Sequence, residues 1–303
     1  MSIRTLKTDV LIVGAGPAGL TAGLYVARAG KKAVVLEGRS PSRLGIPYTI
    51  ENYPGVPSVS SLDLLGAFRK QALSFGAEVV AGDAIAFMLD GAPKYVTTKD
   101  AMIEAGAVIL ATGKPVPKAR MIPGEDRLVG QGVSYCATCD GPLFRGRTVA
   151  AVGSGPEALE DVHALLEMGC RVVWVPGKAG EAADGPEARA LEGKGADIRR
   201  GAKVKEIRGD NVVESVVVEG PSGLETVPVP AVFVFREVPA GPLFEKAGLA
   251  IDHKQCLAVD RFQRTNLAGV FAAGDITCGG LQVVAAAGEG CVAALQALAY
   301  LRK

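Results

Sequence analysis

The first forty residues alternate between apolar runs and glycine-rich turns. The apolar run TDVLIVG (Thr8–Gly14) is followed by PAGLTAGLYVARAG, whose apolar residues recur at helical spacing, and then by the run KAVVLE (Lys32–Glu37). Short apolar runs that end in glycine or a polar residue are typical of buried strands in a parallel sheet. The segment therefore predicts a strand, a glycine turn, a helix and a second strand, which together form a βαβ unit.

The same order of elements recurs in the middle of the chain, at RTVAAVGSGPEALEDVHALLEMGCRVVWV (Arg147–Val175). Between the two units, AGAVILATGKPVPKA predicts a buried strand (Ala107–Ala111), a glycine break and a proline-rich linker. Near the end, GVFAAGD (Gly269–Asp275) predicts a last strand, followed by a glycine turn and a helix over QVVAAAGEGCVAALQALAYL.

The ending resembles the opening unit more than the middle one, so we predict that the first domain is discontinuous. The expected fold is α/β, with two dinucleotide-binding, Rossmann-like domains of three-layer ββα type, the second inserted into the first. The expected boundaries are 1–114 and 241–303 for the first domain and 115–240 for the second.

Length and composition agree with two such domains and exclude several other classes. The 303 residues suggest about two domains, and 49% of them are apolar. The net charge is +1 and no basic stripe is present, so we expect no nucleic-acid partner. No apolar run is expected to reach the 18 or so residues of a membrane span, and the start lacks a signal-peptide pattern. Six cysteines are too few for a secreted disulfide scaffold. We therefore expect a cytoplasmic protein without a membrane partner.

A glycine motif follows the first predicted strand. Gly14-Ala15-Gly16-Pro17-Ala18-Gly19 fits G-x-G-x-x-G, in which the glycines make the tight turn, admit a pyrophosphate and let helix and strand pack closely. The helix N-terminus offers unpaired N–H groups to the phosphates. Glu37 ends the second strand, 18 residues beyond Gly19, where a carboxylate accepts hydrogen bonds from both ribose hydroxyls. The motif predicts a dinucleotide site formed by Gly14, Gly16, Pro17, Ala18, Gly19 and Glu37.

Two thiols lie three positions apart in SYCATCDGPL, at Cys136 and Cys139. A zinc site would need four ligands, but the chain has only His163 and His253 as histidines and no second C-x-x-C. We therefore predict no metal. A pair of inert buried cysteines stays open as an alternative to a redox dithiol. Asp140 follows the pair directly and suits two roles equally, a proton shuttle for disulfide exchange and the cap of a turn.

Several motifs together resemble one family. SYCATCDGPLFRG stands directly before the second glycine motif, and ENYPG (Glu51–Gly55), VILATG and FAAGD followed by Q-x-x-x-A-A-G-E-G-C are also present. Over essentially its whole length the chain resembles the low-molecular-weight, bacterial-type thioredoxin reductases. The resemblance implies FAD as cofactor, a thioredoxin-like protein disulfide as substrate and a homodimer as the working form.

The resemblance also implies roles for individual residues. Cys139 would lie against the flavin and exchange electrons with it, Cys136 would attack the partner disulfide, and Asp140 would donate and accept the proton. Further contacts to FAD are implied at Asn52, Ala111, Thr112, Gly113, Gly274, Asp275, Gln282 and Val283.

The second glycine motif, Gly153-Ser154-Gly155-Pro156-Glu157-Ala158, leads into a segment that departs from the family. The family carries His-Arg-Arg-x-x-x-Arg after the next strand, whereas no arginine lies here between Arg171 and Arg189. Pro176 occupies the position that would discriminate NADH from NADPH, and Lys178 is the nearest cation, best interpreted as a solvated loop lysine. We therefore expect an atypical member for which NADPH is doubtful.

The donor suggested instead is ferredoxin, or another flavin or NADH. Three alternatives remain: a conventional NAD(P)H-dependent thioredoxin reductase, a disulfide reductase or oxidase for another substrate, and a vestigial flavin-binding regulatory protein. The other cysteines are interpreted as structural. Cys170 falls in a turn and Cys291 in an apolar helix. Cys278, near the expected flavin, is interpreted as an unbonded structural thiol because no partner cysteine is near in sequence, and a redox thiol stays open as the alternative.

Overall fold

The chain divides into two compact units. A computed structural model describes residues 4–40, 42–114, 121–177, 181–235 and 241–302. The first unit comprises Met1–Pro115 with Glu237–Lys303, and the second unit comprises Val116–Arg236. The predicted boundaries, after residues 114 and 240, border the segments 115–120 and 236–240, which lie outside the described residues.

The elements follow the predicted order, with additional short strands. The N-terminal part contains β1 (Arg4–Val13), α1 (Pro17–Arg28), β2 (Ala33–Glu37), β3 (Thr49–Ile50), β4 (Val59–Ser60), α2 (Ser61–Ser74), β5 (Glu78–Ala81), β6 (Ala86–Met88), β7 (Lys94–Thr97) and β8 (Ala101–Leu110). The second unit contains α3 (Glu125–Leu128), β9 (Val133–Ser134), α4 (Ala137–Asp140), β10 (Thr148–Val152), α5 (Pro156–Glu167), β11 (Arg171–Val175), α6 (Glu181–Asp184), α7 (Pro186–Gly193), β12 (Asp197–Ile198), β13 (Lys203–Arg208), β14 (Ser215–Gly220), β15 (Gly223–Pro228) and β16 (Val232–Val234). The C-terminal part returns to the first unit with α8 (Pro242–Lys246), β17 (Val270–Ala272) and α9 (Val283–Tyr300).

The first unit is built on a sheet in the order β5-β2-β1-β8, extended by the antiparallel strands β7 and β6. β1 pairs in parallel with β2 and β8, and β17 pairs in parallel with the end of β8. The last strand of the chain thus completes the sheet that the first strand begins. Parallel strands that are covered on both faces read as continuous apolar runs, which explains why TDVLIVG and VILATG show no alternation.

Helices α1 and α9 pack on one face of this sheet, where small residues let them approach closely. A Cβ at Gly290 of α9 would clash with the carbonyl of Ala18 in α1, whereas a Cβ at Gly288 would meet no atom. On the opposite face a second core includes residues of the 244–257 segment, with Leu89 and Leu257 buried there. The sheet is therefore the middle layer of its unit.

Among the described residues one helix, α9, is long and apolar enough by length and composition alone to cross a membrane. The expectation that no such run exists was therefore wrong. Ala286, Ala293 and Ala297 of α9 are buried in the core that contains α1. Core helices of folded domains meet the same criterion of length and composition when they pack, as here, along one apolar face.

The second unit repeats the arrangement with a smaller sheet. Its order is β12-β11-β10-β16-β9, and all of its pairs are parallel. Residues of α4, α5 and α7 pack against one face of this sheet, in a core that contains Trp174 and Phe233. A separate antiparallel sheet, β13-β14-β15, stands beside it. The predicted α/β class, with two dinucleotide-binding units, is confirmed by these parallel sheets.

Candidate active site

A cavity of about 530 Å³ opens in the first unit at the carboxyl ends of β1, β2 and β8. Its size lies within the ~300–1,000 Å³ of small-molecule and cofactor sites. In open parallel sheets, ligands bind at this edge because the strand ends leave a crevice there. The sequence-predicted residues that line it are Gly14, Gly16, Pro17, Ala18, Glu37, Ala111, Thr112, Gly113, Gly274, Asp275, Gln282 and Val283.

The glycine turn after β1 has the shape that a pyrophosphate requires. Gly14 has φ +119°, and a Cβ there would clash with the carbonyl of Ala111. A Cβ at Gly19 would clash with the carbonyl of Gly14, so the turn and the first turn of α1 are in direct contact. The N-terminus of α1 faces the cavity, with Gly16 and Pro17 in its lining. Free N–H groups and the positive end of the helix dipole at this point fit the diphosphate of FAD.

Two carboxylates of the cavity are paired with arginines that no sequence motif marks. Arg69, from α2, forms an ion pair with Glu37. Arg43 lies 3.4 Å from Asp275, measured from Nη1 to Oδ2. Both arginines come from segments distant in sequence, so only the folded chain brings them to these carboxylates. The two ion pairs orient Glu37 and Asp275, whose carboxylate oxygens can accept hydrogen bonds from hydroxyl groups.

Two predicted residues do not line the cavity and support it instead. Gly19 lies beneath the glycine turn. The side-chain amide of Asn52 donates a 3.2 Å hydrogen bond to Oε1 of Gln282, and Gln282 is in the lining. The structure thus brings all fourteen predicted cofactor residues to one region, twelve of them in contact with the cavity.

Glu289 is a half-buried acid that was not predicted from the sequence. Its carboxylate accepts hydrogen bonds from the backbone N–H of Gly274 at 2.6 Å and from the hydroxyl of Thr277 at 3.1 Å. Burial raises its pKa above the usual value for a glutamate, and the two hydrogen bonds oppose this rise. Glu289 therefore holds the turn that presents Asp275 to the cavity. The signal for it was the GEG of the last helix, where a charged residue interrupts an apolar run.

In the second unit Cys136 and Cys139 form a disulfide across one helical turn, with their Cα atoms 5.3 Å apart. Cys136 caps α4, and its Sγ accepts a 3.1 Å hydrogen bond from the backbone N–H of Cys139. Both residues are half-buried. A donor aimed at Cys136 Sγ and the N-terminal end of a helical turn both stabilise a thiolate at this position.

The hydroxyl of Ser134 connects the pair to Asp140. It donates a 2.6 Å hydrogen bond to Oδ2 of Asp140 and accepts a 3.1 Å hydrogen bond from the backbone N–H of Cys136. Burial raises the pKa of Asp140, and the hydrogen bond from Ser134 acts in the opposite direction. A carboxyl group with a raised pKa exchanges protons nearer to neutral pH, which suits an acid and base beside a dithiol.

The second glycine turn, which follows β10, is hydrogen-bonded to the next parallel strand, β11. The indole N–H of Trp174, a buried residue of β11, donates a 2.8 Å hydrogen bond to the carbonyl of Gly153. Pro176, at the position that would discriminate NADH from NADPH, is also buried. Lys178, the nearest cation in sequence, lies outside the described residues.

Arg199 and Arg200 lie at the same edge of the sheet. They follow β12 and are distant in sequence from the end of β11. The backbone N–H of Arg199 bonds to the carbonyl of Trp174 at 2.8 Å. Its guanidinium pairs with Asp197 and Glu225. Arg200 pairs with Asp184 and Glu192. Both positive charges are therefore offset by carboxylates of the unit itself.

The interpretation of Cys278 as an unbonded thiol was wrong. Cys278 forms a disulfide with Cys256, 22 residues earlier in the chain. The intervening segment contains β17 and folds back on itself, so the two cysteines meet although they are distant in sequence. Cys170 is a free buried thiol and Cys291 a free, half-buried one. In the part of the chain that the structure describes, no three His, Cys, Asp or Glu residues converge as metal ligands.

These features define a class of protein, one with a dinucleotide cavity in one α/β unit and a dithiol–disulfide pair in a second. Comparison with known proteins agrees. Residues 8–290 match the pyridine nucleotide-disulphide oxidoreductase family. A thioredoxin reductase of Peptoclostridium acidaminophilum is 37% identical over 306 residues, which cover 97% of this chain and 96% of the relative.

Solved structures agree as well. The thioredoxin reductase from Giardia duodenalis superposes with a TM-score of 0.88 at 29% identity, covering 98% of this chain and 100% of that one. A ferredoxin-flavin thioredoxin reductase from Clostridium acetobutylicum superposes with a TM-score of 0.54 at 30% identity, covering 99% of both chains. The chain therefore belongs to the pyridine nucleotide-disulphide oxidoreductase family and, within it, to the thioredoxin reductases, which are flavoprotein oxidoreductases.

Proposed function

We propose that this protein is an FAD-dependent thiol–disulfide oxidoreductase that reduces a thioredoxin-like protein disulfide through Cys136 and Cys139, with a donor other than NADPH. The observation that carries the proposal is the linked arrangement of Cys136, Ser134 and Asp140, which joins a dithiol to a carboxyl of raised pKa. The relatives named as thioredoxin reductases supply the class of substrate.

The two cysteines divide the exchange between them. The thiolate of Cys136 attacks one sulfur of the partner disulfide, which forms a mixed disulfide and releases the partner's other sulfur as a thiolate. The thiolate of Cys139 then attacks Sγ of Cys136, which re-forms the Cys136–Cys139 disulfide and releases the partner as a dithiol. Two electrons pass to the partner, and Asp140 delivers a proton to a leaving thiolate.

The first unit supplies the cofactor site. FAD, when bound, provides a carrier that takes up two electrons and passes them to a disulfide. The glycine turn and the start of α1 would hold its diphosphate, and Glu37, oriented by Arg69, would accept hydrogen bonds from the adenosine ribose. Asp275, held by Glu289 through Gly274, would bind hydroxyl groups at the other side of the cavity.

The proposal of a donor other than NADPH rests on the end of β11. Pro176 offers no side-chain donor or acceptor for either a ribose hydroxyl or a phosphate. Arg199 and Arg200 are each engaged by two carboxylates, which lowers their attraction for a further anion. The likeness to the ferredoxin-flavin enzyme of Clostridium acetobutylicum makes reduced ferredoxin the first donor to test.

Anaerobic titration of the FAD-loaded protein tests the donor. Flavin absorbance is followed after NADPH, NADH or reduced ferredoxin is added in an amount that supplies two electrons per flavin. We expect rapid bleaching with ferredoxin and slow bleaching with NADPH. Rapid bleaching by NADPH would overturn the donor proposal and leave the disulfide chemistry standing. In that case Arg200→Ala serves as the matched variant, because a loss of the NADPH reaction there would identify Arg200 as the phosphate ligand.

We further propose that residues 1–114 and 241–303 act as the FAD domain and residues 115–240 as the domain that carries the dithiol, which the two compact units support. As the family resemblance implies, the working form would be a homodimer. We propose the cytoplasm as its compartment, since transient, catalytic disulfides are typical there. Light scattering of the purified protein tests the oligomeric state.

A further inference from the structure

A second pair of bonded cysteines, Cys256 and Cys278, lies in the first unit. The Cα atoms of Cys256 and Cys278 are 5.9 Å apart, within the ~4.4–6.8 Å that disulfides span. Cys256 is fully buried, whereas Cys278 is half-buried and is followed by the exposed Gly279 and Gly280. Solvent therefore reaches the pair from the Cys278 side.

A buried lysine lies against both sulfurs. Nζ of Lys114 is 3.2 Å from Sγ of Cys256 and 3.0 Å from Sγ of Cys278. Lys114 follows Gly113 just beyond the end of β8, and it also lines the cavity of the first unit. A purely structural disulfide has no need of a cation. An ammonium group at this distance stabilises a thiolate, and disulfide exchange is faster when the leaving thiolate is stabilised.

The backbone around Cys278 is held in an unusual conformation. Cys278 has φ 57° and Leu281 has φ 52°, both in the left-handed region that residues other than glycine rarely occupy. Such residues persist where the surroundings hold them and they cluster at functional sites. Leu281 lines the cavity, and Asp275 begins the short turn that Cys278 ends. The bond to Cys256 thus anchors a segment that forms part of the cavity wall.

We propose that Cys256 and Cys278 form a second thiol–disulfide exchange site, which takes small dithiols as its substrates and in which Lys114 stabilises the leaving thiolate. One thiolate of the dithiol attacks Sγ of Cys278, forms a mixed disulfide with it and releases Sγ of Cys256 as a thiolate beside Lys114. The second thiolate of the dithiol attacks its own sulfur in the mixed disulfide. It leaves as a cyclic disulfide, and Cys278 is freed.

Electrons and protons balance in this exchange without any other reactant. The dithiol loses two electrons and its sulfurs become bonded to each other. The Cys256–Cys278 pair gains the same two electrons as a thiol and a thiolate, and the remaining proton goes to solvent. The reverse reaction, with an oxidised dithiol, restores the bond. The site is independent of Cys136 and Cys139, so the proposal does not rest on the exchange with a thioredoxin-like partner.

The test uses the full-length protein carrying Cys136→Ala and Cys139→Ala, which leaves Cys256–Cys278 as its one disulfide among the described residues. The folded protein is treated with dithiothreitol, alkylated at intervals and digested, and the peptides of Cys256 and Cys278 are followed by mass spectrometry. Circular dichroism in parallel shows that the protein stays folded. We expect both cysteines to become labelled in the folded state and to be protected again after oxidised dithiothreitol is added.

Variants of Lys114 test the role of the cation. Lys114→Met removes the charge at similar volume and is expected to slow reduction by about tenfold, because the leaving thiolate loses its counter-charge. Lys114→Arg keeps a cation and is expected to stay near the parent rate. Lys7→Met removes an exposed lysine of the same unit and should change nothing. In denaturant all variants should be reduced equally fast, which places any difference in the folded site.

Three results would overturn the proposal. The first is recovery of Cys256 and Cys278 as thiols that oxidised dithiothreitol does not join. The second is a bond that resists dithiothreitol until the protein unfolds, which would make it purely structural. The third is reduction of a folded Lys114→Met variant at the parent rate. If Lys114→Met does not fold, the proposal is tested by the parent protein alone: it stands if the bond is reduced in the folded state and falls if it is not.

Discussion

The hydroxyl of Ser134 donates a 2.6 Å hydrogen bond to the carboxyl group of Asp140 and at the same time accepts one from the backbone N–H of Cys136. One side chain thus connects the acid to the dithiol. It also opposes the effect of burial on Asp140, whose pKa is raised because the surroundings disfavour its charged form. Proton transfer and thiol chemistry in this unit therefore depend on the same hydroxyl.

Replacing Ser134 by alanine removes the hydrogen bond that favours the charged carboxylate, so the pKa of Asp140 is expected to rise further. A hydrogen bond to a charged group contributes roughly 1.5 kcal/mol, which corresponds to about one pH unit. Because Asp140 must be protonated to act as an acid, the alkaline limb of the pH profile for disulfide reduction should move upward. Ser134→Thr keeps the hydroxyl and should retain the parent profile. An unchanged limb in Ser134→Ala would remove Asp140 from the proton step.

The two cysteines of the disulfide at α4 are expected to differ in a trapping experiment. A thioredoxin variant with one cysteine, carried as a mixed disulfide with thionitrobenzoate, is added to the reduced protein. Cys139→Ser retains the attacking Cys136, so it should release thionitrobenzoate and stay joined to thioredoxin. Cys136→Ser should release it at least roughly tenfold more slowly, because its remaining thiol is the one assigned to the flavin side.

Cys170→Ser is the control for this experiment, since Cys170 is buried and its pKa is raised by burial. It should react like the parent protein. If Cys136→Ser and Cys139→Ser exchanged their behaviour, the assignment of attacking and resolving thiols would have to be reversed. If neither variant reacted, a partner other than thioredoxin would have to be sought.

The ion pair between Arg69 and Glu37 is expected to matter for FAD affinity. Glu37→Gln removes the charged acceptor for the ribose hydroxyls and should weaken FAD binding by roughly tenfold, or about 1.4 kcal/mol. Arg69→Leu leaves Glu37 without its cation and should weaken binding by a smaller factor, because the carboxylate remains but is less firmly oriented. Titration of the apoprotein with FAD, followed by flavin fluorescence, measures both. Equal affinity in Glu37→Gln and the parent would mean that the ribose is held elsewhere.

Two glycines of α9 form a matched pair for stability. A Cβ at Gly290 would clash with the carbonyl of Ala18, so Gly290→Ala should force α9 away from α1 and destabilise the first unit by about 1–3 kcal/mol. A Cβ at Gly288 meets no atom, and Gly288 is exposed in the middle of the same helix. Gly288→Ala should therefore stabilise it by up to ~1 kcal/mol through helix propensity. Urea unfolding at equal FAD occupancy compares the two, and effects of the same sign would refute the packing argument.

The amino-acid sequence by itself determined the features that depend on neighbouring residues. A glycine is required at position 14 because φ is positive there, and this is a property of a single turn. The backbone carbonyl of Ala111 also lies close to it. Cys136 and Cys139 meet because three positions span one helical turn. The apolar runs of β1, β8 and β11 were recognisable because strands that are covered on both faces lack alternation.

Tertiary structure alone decided the contacts between distant segments. Arg69 reaches Glu37 from another helix, and Arg200 reaches the carbonyl of Ala183 in α6 from the segment after β12. Cys256 meets Cys278 across 22 residues, with Lys114 brought against both sulfurs from the end of β8. The order of strands and helices in the folded unit brings these residues together. No local sequence pattern predicts a contact between two residues that lie on different elements. The residues of the glycine turns and the dithiol follow from short-range sterics, whereas their charged partners follow from the packing of the whole unit.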